Sequence, residues 1–304
     1  MPNWGEVLQE VNQESAKGLS ASDNTRRKYL GLLATHTGRN VIGYYSGFLS
    51  KPGIQLLDIN DEDLTGFMMA VHKLDRAKGL DLILHTPGGS IASTESLVNY
   101  LHIMFNHDMR VIVPQIAMSA GTMIACSSKE IVMGKQSSLG PIDPQLRGIP
   151  AQGVINEFKQ ALKEYKEDKD SLQIWQFVIQ QYRPTFLGQC QQANEWTRTF
   201  VSGKLKSVMF SGDPDAEQKS ARIVDSLSDT DEHKSHERHI PMSKCIEMGL
   251  RIKPLEDDAE FQDLVLTVHH CYMYALMNTT AYKIIENHLG VRFVKVMTST
   301  KPTA

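Results

Sequence analysis

The chain has 304 residues, which is enough for one large α/β domain with a helical extension or for two smaller units. Its 32 basic and 35 acidic residues nearly balance, so no field of one sign favours nucleic acid as a partner. Four scattered cysteines without a Cys-x-x-Cys pair argue against a zinc knuckle or a disulfide framework and fit a reducing cytosol. No apolar run reaches the roughly 18 residues that span a bilayer, and residues 1–18 lack a signal-peptide core. We expect a cytoplasmic protein without a membrane span.

The first third of the chain predicts an arm, a strand and a helix. Residues 1–34 are polar and are interpreted as an N-terminal arm. Residues 41–48 predict the first strand. Residues 61–78 predict a helix, because their apolar side chains share one stripe, namely Leu64, Phe67, Met68, Val71 and Leu74.

A glycine turn follows the next predicted strand. Residues 80–84 are mainly apolar, Pro87, Gly88 and Gly89 end the run, and residues 90–105 carry apolar side chains at helical spacing. Glycines at a strand-to-helix junction let a bound group approach the backbone, and free amides at the helix start attract negative charge. Gly88 and Gly89 are therefore candidates for an oxyanion loop.

The same design recurs about thirty residues later. A β-branched run ends at Met118, and Ser119, Ala120 and Gly121 open a segment of small residues. A serine between small neighbours leaves room for a carbonyl carbon, and the Ala120 amide offers a second oxyanion donor. Ser119 is thus a candidate nucleophile. The alternatives are a simple turn for the glycines and an N-cap for the serine.

The remaining chain is mostly helical by pattern. Residues 130–133 predict a short strand, and strands that alternate with helices predict a mostly parallel sheet. Residues 151–210 predict long polar helices, residues 213–239 a charged mobile connection, and residues 261–289 a final helix.

Taken in order, the motifs resemble a known superfamily of serine peptidases and acyl-CoA enzymes. The matching stretches are His85-Thr86-Pro87-Gly88-Gly89-Ser90, Met118-Ser119-Ala120-Gly121-Thr122, Ser138-Leu139-Gly140-Pro141-Ile142-Asp143-Pro144-Gln145 and Met248-Gly249-Leu250. Together they resemble the Clp-protease/crotonase superfamily and, within it, the serine dehydrogenase proteinases, which are relatives of signal peptide peptidase A. Residues 283–290 are similar to the family's C-terminal helix.

The resemblance implies an α/β fold with a mostly parallel sheet of repeated β-β-α and βα units. A peptidase domain would cover residues 35–255, with a helical insertion at about 151–210, and a C-terminal helical extension would cover residues 256–304. It also implies a homo-oligomer (a trimer, a hexamer or a ring), a peptide or protein substrate, and an unfoldase or regulatory partner. No metal or nucleotide motif is present, so we expect no cofactor.

The resemblance leaves the general base open. Clp proteolytic subunits carry a histidine roughly two dozen residues after the serine, but residues 140–144 contain none. Signal peptide peptidases use a lysine further along. Lys169, 50 residues after Ser119, is the preferred candidate among the lysines of this segment, which are Lys159, Lys163, Lys166 and Lys169. The competing interpretation is a solvated charged helix.

Histidines offer a second possibility. Aligned on Gly249 and Leu250, residues 233–239 fall where Clp-type enzymes carry the triad acid, so His236 or His239 could serve as base or bind substrate. Asp143 would orient a partner or cap its turn.

Three other histidines are candidates for structural roles. His85 would hold a turn through a backbone hydrogen bond or touch the site, and His269 and His270 would serve packing or a subunit contact.

Two other function classes share these features. A crotonase-like acyl-CoA enzyme would have the same fold and oxyanion loop but would not need Ser119. A non-catalytic scaffold or regulatory subunit would keep the fold without a base. The sequence favours the serine peptidase, which performs acyl transfer through Ser119.

Overall fold

The structure is a computed structural model that describes residues 5, 9–10, 21–233 and 235–297. The helices are α1 Ala21–Thr37, α2 Asp61–Val71, α3 Ile91–Phe105, α4 Ala120–Cys126, α5 Ala151–Glu167, α6 Leu172–Ile179, α7 Phe186–Lys204, α8 Ala216–Ser228, α9 Thr230–His233, α10 Met242–Met248 and α11 Ala259–Asn278. The strands are β1 Asn40–Ser46, β2 Leu80–His85, β3 Met109–Val113, β4 Ile116–Ala117, β5 Ile131–Met133, β6 Ser138–Leu139, β7 Gln145–Leu146, β8 Ile149–Pro150, β9 Ile240–Pro241, β10 Ile252–Pro254, β11 Ala281–Asn287 and β12 Arg292–Val296.

Within the described residues, seven strands form the central sheet in the order β10-β5-β3-β2-β1-β11-β12. The first five run parallel, whereas β11 and β12 pair antiparallel. The strands β1 and β2 are buried along their whole length, which explains their nearly continuous apolar sequence. The predicted mostly parallel α/β fold is confirmed.

Two hydrophobic cores cover the two faces of this sheet, because successive strand side chains alternate between faces. Leu82 and Val111 face a core that includes side chains of α3, α4 and α8. Ile83 and Ile112 face a core built with α1 and α11. The helices α5, α6 and α7 lie in the segment expected to be a helical insertion, and α5 and α7 share a small core of their own around Val154.

The C-terminal segment corrects one prediction. The helix expected over residues 261–289 ends at Asn278, and residues 281–287 form the strand β11 rather than the helix expected over 283–290. The reason is that Ile284 and Ile285 are β-branched, are buried on both sides of the strand, and pair with Tyr45 and Tyr44 of β1. Among the described residues that follow position 256, α11 is the long helix, and β11 and β12 extend the central sheet.

Two further segments differ from the predictions. The helix expected over residues 61–78 ends at Val71 and is followed by a 3-10 turn at Arg76–Lys78. Residues 213–239, expected to be a mobile connection, contain the 13-residue helix α8. This helix is amphipathic: besides its charged face it has an apolar face, whose Ile223, Val224 and Leu227 are buried in the core.

Half of the predicted arm at residues 1–34 lies outside the described residues. The described half includes most of α1, whose Leu30 and Leu33 are buried. None of the described helices combines the length and apolar character needed to cross a bilayer.

His85, at the end of β2, lies in the core beneath α11 and away from solvent. Its Nδ1 is 3.3 Å from the Ser46 carbonyl oxygen, and its ring lies 4.9 Å from Phe48 and 5.6 Å from His269, centroid to centroid. Burial lowers the pKa of His85 to about 4 and that of His269 well below its ordinary value. His85 is thus a core residue, and its backbone contact is with the end of β1 and not within the glycine turn that follows it.

We predict that the protein loses stability as the pH falls from about 6.5 towards 4, because the unfolded chain binds a proton at His85 that the folded chain excludes. Replacing His85 by Gln should flatten the dependence of the unfolding free energy on pH in this window by about 1.4 kcal/mol per pH unit. Urea unfolding between pH 4.5 and 6 measures both slopes. Equal slopes for the two proteins would contradict this account of His85.

Candidate active site

The two glycine-bearing motifs meet at the carboxyl edge of the parallel sheet. Because β2 and β3 are neighbours, the segments that follow them lie side by side, the usual position of a site in an α/β sheet. The Thr86 N–H donates to the Ile116 carbonyl at 3.2 Å, and the Met118 N–H donates to the Thr86 carbonyl at 3.1 Å. These two bonds fix the spacing of the motifs.

Ser119 lies in a sharp turn between β4 and α4. Its φ of 50° and ψ of −113° are unusual for a residue with a side chain, and such strain is typical of a serine presented on a strand-to-helix elbow. Although Ser119 occupies the N-cap position of α4, its side chain makes no capping hydrogen bond. The N-cap alternative is therefore wrong, and the hydroxyl is left for other chemistry.

The turn needs small neighbours. A Cβ on Gly121 would lie 2.6 Å from Cγ2 of Thr86 and 3.2 Å from Cβ of Ala117, so α4 can approach β2 only with glycine there. Thr122 then ties the next motif to the turn: its Oγ1 accepts the Gly140 N–H at 3.0 Å. The same oxygen lies 3.0 Å from the Ala117 carbonyl and 2.9 Å from the Gly140 carbonyl.

Gly88 and Gly89 are needed for close approach of the backbone. A Cβ on Gly88, whose φ is 113°, would lie 2.8 Å from Cβ of Ser119. A Cβ on Gly89, whose φ is 155°, would lie 2.3 Å from the Ile59 backbone nitrogen. Ile59 pairs with this loop through two hydrogen bonds. Its N–H donates to the Gly88 carbonyl at 2.7 Å, and its carbonyl accepts from the Ser90 N–H at 2.9 Å.

Two backbone amides beside Ser119 are available to a ligand. The Gly88 N–H is not one of them, because it donates to Oγ1 of Thr86 at 3.2 Å. The N–H groups of Gly89 and Ala120 have no hydrogen-bond partner in the part of the chain that the structure describes. Free amides on either side of a nucleophile are the donors that an oxyanion requires.

An acid and a histidine form a contact close to this turn. Asp143, whose residue surface is 4 % exposed, accepts a hydrogen bond from Nε2 of Gln145 at 3.0 Å on Oδ2. Its Oδ1 lies 2.8 Å from Nδ1 of His236. This contact assigns the proton of a neutral His236 to Nδ1 and leaves Nε2 as an acceptor. The loop of Asp143 is held in place by the Ile142 N–H, which donates to the Leu227 carbonyl at 3.0 Å.

Ser119, Gly89 and His236 line one cavity of about 660 Å³. Its other walls are mostly apolar near the serine, with Met123, Ile142 and Trp196 among them, and polar at Asp58 and Asn60. The volume is in the range of sites that enclose a small ligand or part of a peptide.

The structure does not bring Lys169 to this cavity. Its side chain is exposed, and its Nζ lies 3.8 Å from the ring centroid of Tyr165 in the helical insertion. Lys163 and Lys166 are exposed on α5 and do not line the cavity either, while Lys159 borders a separate apolar cavity of about 670 Å³ between α5, α6 and α7.

Other candidates have different partners. Nδ1 of His239 lies 2.8 Å from Oγ of Ser138, outside the cavity, and His269 is packed in the core near the hydroxyl of Tyr45 at 3.3 Å. Among the described residues, no group of His, Cys, Asp and Glu side chains is arranged to hold a metal ion.

The sequence patterns did not indicate the pairing of Asp143 with His236, because 93 positions separate the two residues. Nor did they identify Ile59 as the partner of the oxyanion loop or Trp196 as a wall of the cavity. One signal in the sequence could have pointed to this pairing. Asp143 lies at the place where the resemblance predicts a histidine.

Comparisons with known proteins agree with this geometry. The family model of ClpP-like SDH-type serine proteinases matches residues 24–186, more than half of the chain. Two uncharacterized proteins of Methanocaldococcus jannaschii are 35 % and 33 % identical to the chain over 111 and 113 residues. These matches cover 36 % of the chain in each case and 38 % and 37 % of the relatives' own lengths. No solved structure gives a significant match.

The family match includes both glycine-bearing motifs, Ser119 and Asp143, and supports a serine peptidase at the level of the family. The chain belongs to the family of ClpP-like SDH-type serine proteinases.

Proposed function

We propose that the protein hydrolyses peptide bonds through an acyl-enzyme on Ser119, with His236 as the general base and Asp143 as its orienting acid. The observation that carries this proposal is the contact of His236 with Asp143 at the wall of the cavity that holds Ser119. The order of the three residues along the chain is Ser, Asp, His, which recurs in unrelated hydrolases because a triad depends on geometry and not on sequence position.

The proposed mechanism gives each group one role. Ser119 Oγ attacks the carbonyl carbon of the scissile peptide bond while His236 Nε2 takes the hydroxyl proton. Asp143 keeps Nδ1 protonated and stabilises the imidazolium that forms. The amides of Gly89 and Ala120 donate to the developing oxyanion. His236 then gives its proton to the leaving amine, and water releases the acyl group by the same path.

The strain at Ser119 supports a peptidase over a crotonase-like acyl-CoA enzyme, which needs no serine in that turn. It also argues against a purely structural role for the chain, since a scaffold gains nothing from a strained backbone. A base on Lys169 stays a prediction from the resemblance, and no contact supports it.

Assembly and location are part of the same proposal. A homo-oligomer would cover the apolar side chains that the insertion exposes, such as Ile174 and Phe177, which are 70 % and 71 % exposed. A cytoplasmic location fits four buried free cysteines. An unfoldase or regulatory partner would supply folded substrates.

A fluorophosphonate probe tests the nucleophile. We expect the probe to label the purified protein on Ser119 and expect Ser119→Ala to lose both labelling and peptide hydrolysis, because no other residue provides the attacking oxygen. Ser211→Ala is the control, since this serine is exposed and lies outside the cavity. Peptide mapping of the adduct identifies the site. Labelling that persists in Ser119→Ala would refute the proposal.

A second set of variants tests the base. We expect His236→Ala to lower kcat/KM for a fluorogenic peptide by about 100-fold or more, because proton transfer typically contributes that much. Asp143→Asn should cause a comparable loss by favouring the wrong tautomer of His236. Lys169→Ala should stay close to the parent.

The outcome that contradicts this assignment is the reverse pattern, with activity lost in Lys169→Ala and retained in His236→Ala. Circular dichroism of each variant separates a catalytic loss from a folding defect.

A further inference from the structure

A buried lysine lies behind the oxyanion loop and is not part of the catalytic groups described above. Lys283 is on β11, and its side chain is 0 % exposed. Its Nζ donates to the Asp58 carbonyl at 2.8 Å and to the carboxylate of Asp63 at 2.9 and 3.0 Å. Burial lowers the pKa of Lys283, and the neighbouring Asp63 opposes that shift. A lysine buried to this degree requires the partners that it has here.

Asp63 in turn binds the other end of the short segment 58–60. Its Oδ2 accepts the backbone N–H of Asn60 at 3.1 Å and the hydroxyl of Tyr44 at 2.8 Å. Residues 58 and 60 are therefore both fixed by the ion pair, the first directly and the second through Asp63.

Ile59 lies between these two fixed residues, and its backbone is hydrogen-bonded to the oxyanion loop. Its N–H and carbonyl bond to Gly88 and Ser90, on either side of Gly89. Ile59 is 1 % exposed, so water cannot replace these bonds. Hydrogen bonds and the short backbone segment 58–60 thus connect β11 to Gly88 and Ser90, the two neighbours of Gly89.

We propose that Lys283 is a positioning residue for the oxyanion hole: with Asp63 it fixes residues 58–60, and through Ile59 it fixes the Gly89 amide relative to Ser119. The inference rests on the proposed function, because it assigns a role within the same site. An oxyanion donor must be held at hydrogen-bond distance from the developing charge, and a displacement of about 1 Å can cost roughly 100-fold in rate. Lys283 therefore acts on the transition state through the backbone without touching the substrate.

The test compares Lys283→Met with the double variant Lys283→Met, Asp63→Asn. The single variant leaves the buried Asp63 carboxylate with only the more distant Lys295 ammonium, at 3.7 Å from Oδ1, so it should lose stability as well as activity. The double variant removes both charges of the Lys283–Asp63 pair and keeps an oxygen for the Asn60 N–H, while Lys295 keeps its ion pair with Glu62. It should therefore regain most of the thermal stability. The Asp58 carbonyl stays without a donor in both variants.

We expect the double variant to react with the fluorophosphonate about 10- to 100-fold more slowly at Ser119 than the parent. For a fluorogenic peptide, kcat should fall by a similar factor while KM changes little, since the lost interaction acts in the transition state. A purely structural role predicts instead that reactivity returns together with stability.

Arg26→Met is the matched control. Arg26 forms another buried ion pair, with Nε 2.5 Å from Oε2 of Glu286 on the same strand β11, but it makes no contact with residues 58–60. It should lose stability to a degree comparable with Lys283→Met and keep the parent rate in the folded fraction.

The outcomes separate the two claims. A parent protein that is not labelled on Ser119 would overturn the proposed function, and the positioning role with it. A labelled parent together with a stable double variant of equal kcat and labelling rate would overturn the role of Lys283 alone.

Discussion

The contact between Gly88 and Ser119 is the constraint on which the rest of the site depends. Two strand-to-helix turns end at the same edge of the sheet, and they approach so closely that a single Cβ on Gly88 would lie 2.8 Å from that of the serine. The close approach brings the Gly88–Gly89 turn beside Ser119, whose backbone is strained and whose side chain makes no capping hydrogen bond. Such strain persists only where the surrounding structure fixes the backbone. Here the hydrogen bond from Met118 to Thr86 and the hydrogen bond from the Gly140 N–H to Thr122 do so.

Under the proposed function, the catalytic acid and base have exchanged places relative to the Clp-type pattern. Asp143 lies 24 residues after Ser119, where the resemblance predicts a histidine, and His236 lies where it predicts an acid. Their contact at 2.8 Å joins the two positions into one unit, so either arrangement can present an imidazole to the serine. If the proposal holds, the exchange gives the chain a histidine base although the usual position has none, and a lysine on the solvated helices of residues 151–210 is not required.

Sequence patterns predicted the parts of the site that depend on local chemistry. Glycine turns, a serine between small residues and alternating strands and helices each have a local physical cause, and Ser119, Gly89 and the parallel sheet follow from them. The patterns could not predict contacts across long stretches of chain, such as that of Asp143 with His236 or of Lys283 with Asp58. The same limit explains the error at residues 281–287, because only pairing with β1 decides that this segment is a strand.

A crystal structure of the protein with Ser119 phosphonylated by a fluorophosphonate tests the central claim most directly. The account predicts the phosphonyl oxygen within about 3 Å of the amide nitrogens of Gly89 and Ala120, and His236 Nε2 within hydrogen-bond reach of the Ser119 oxygen. A lysine Nζ in that place, with His236 turned away from the serine, would contradict it.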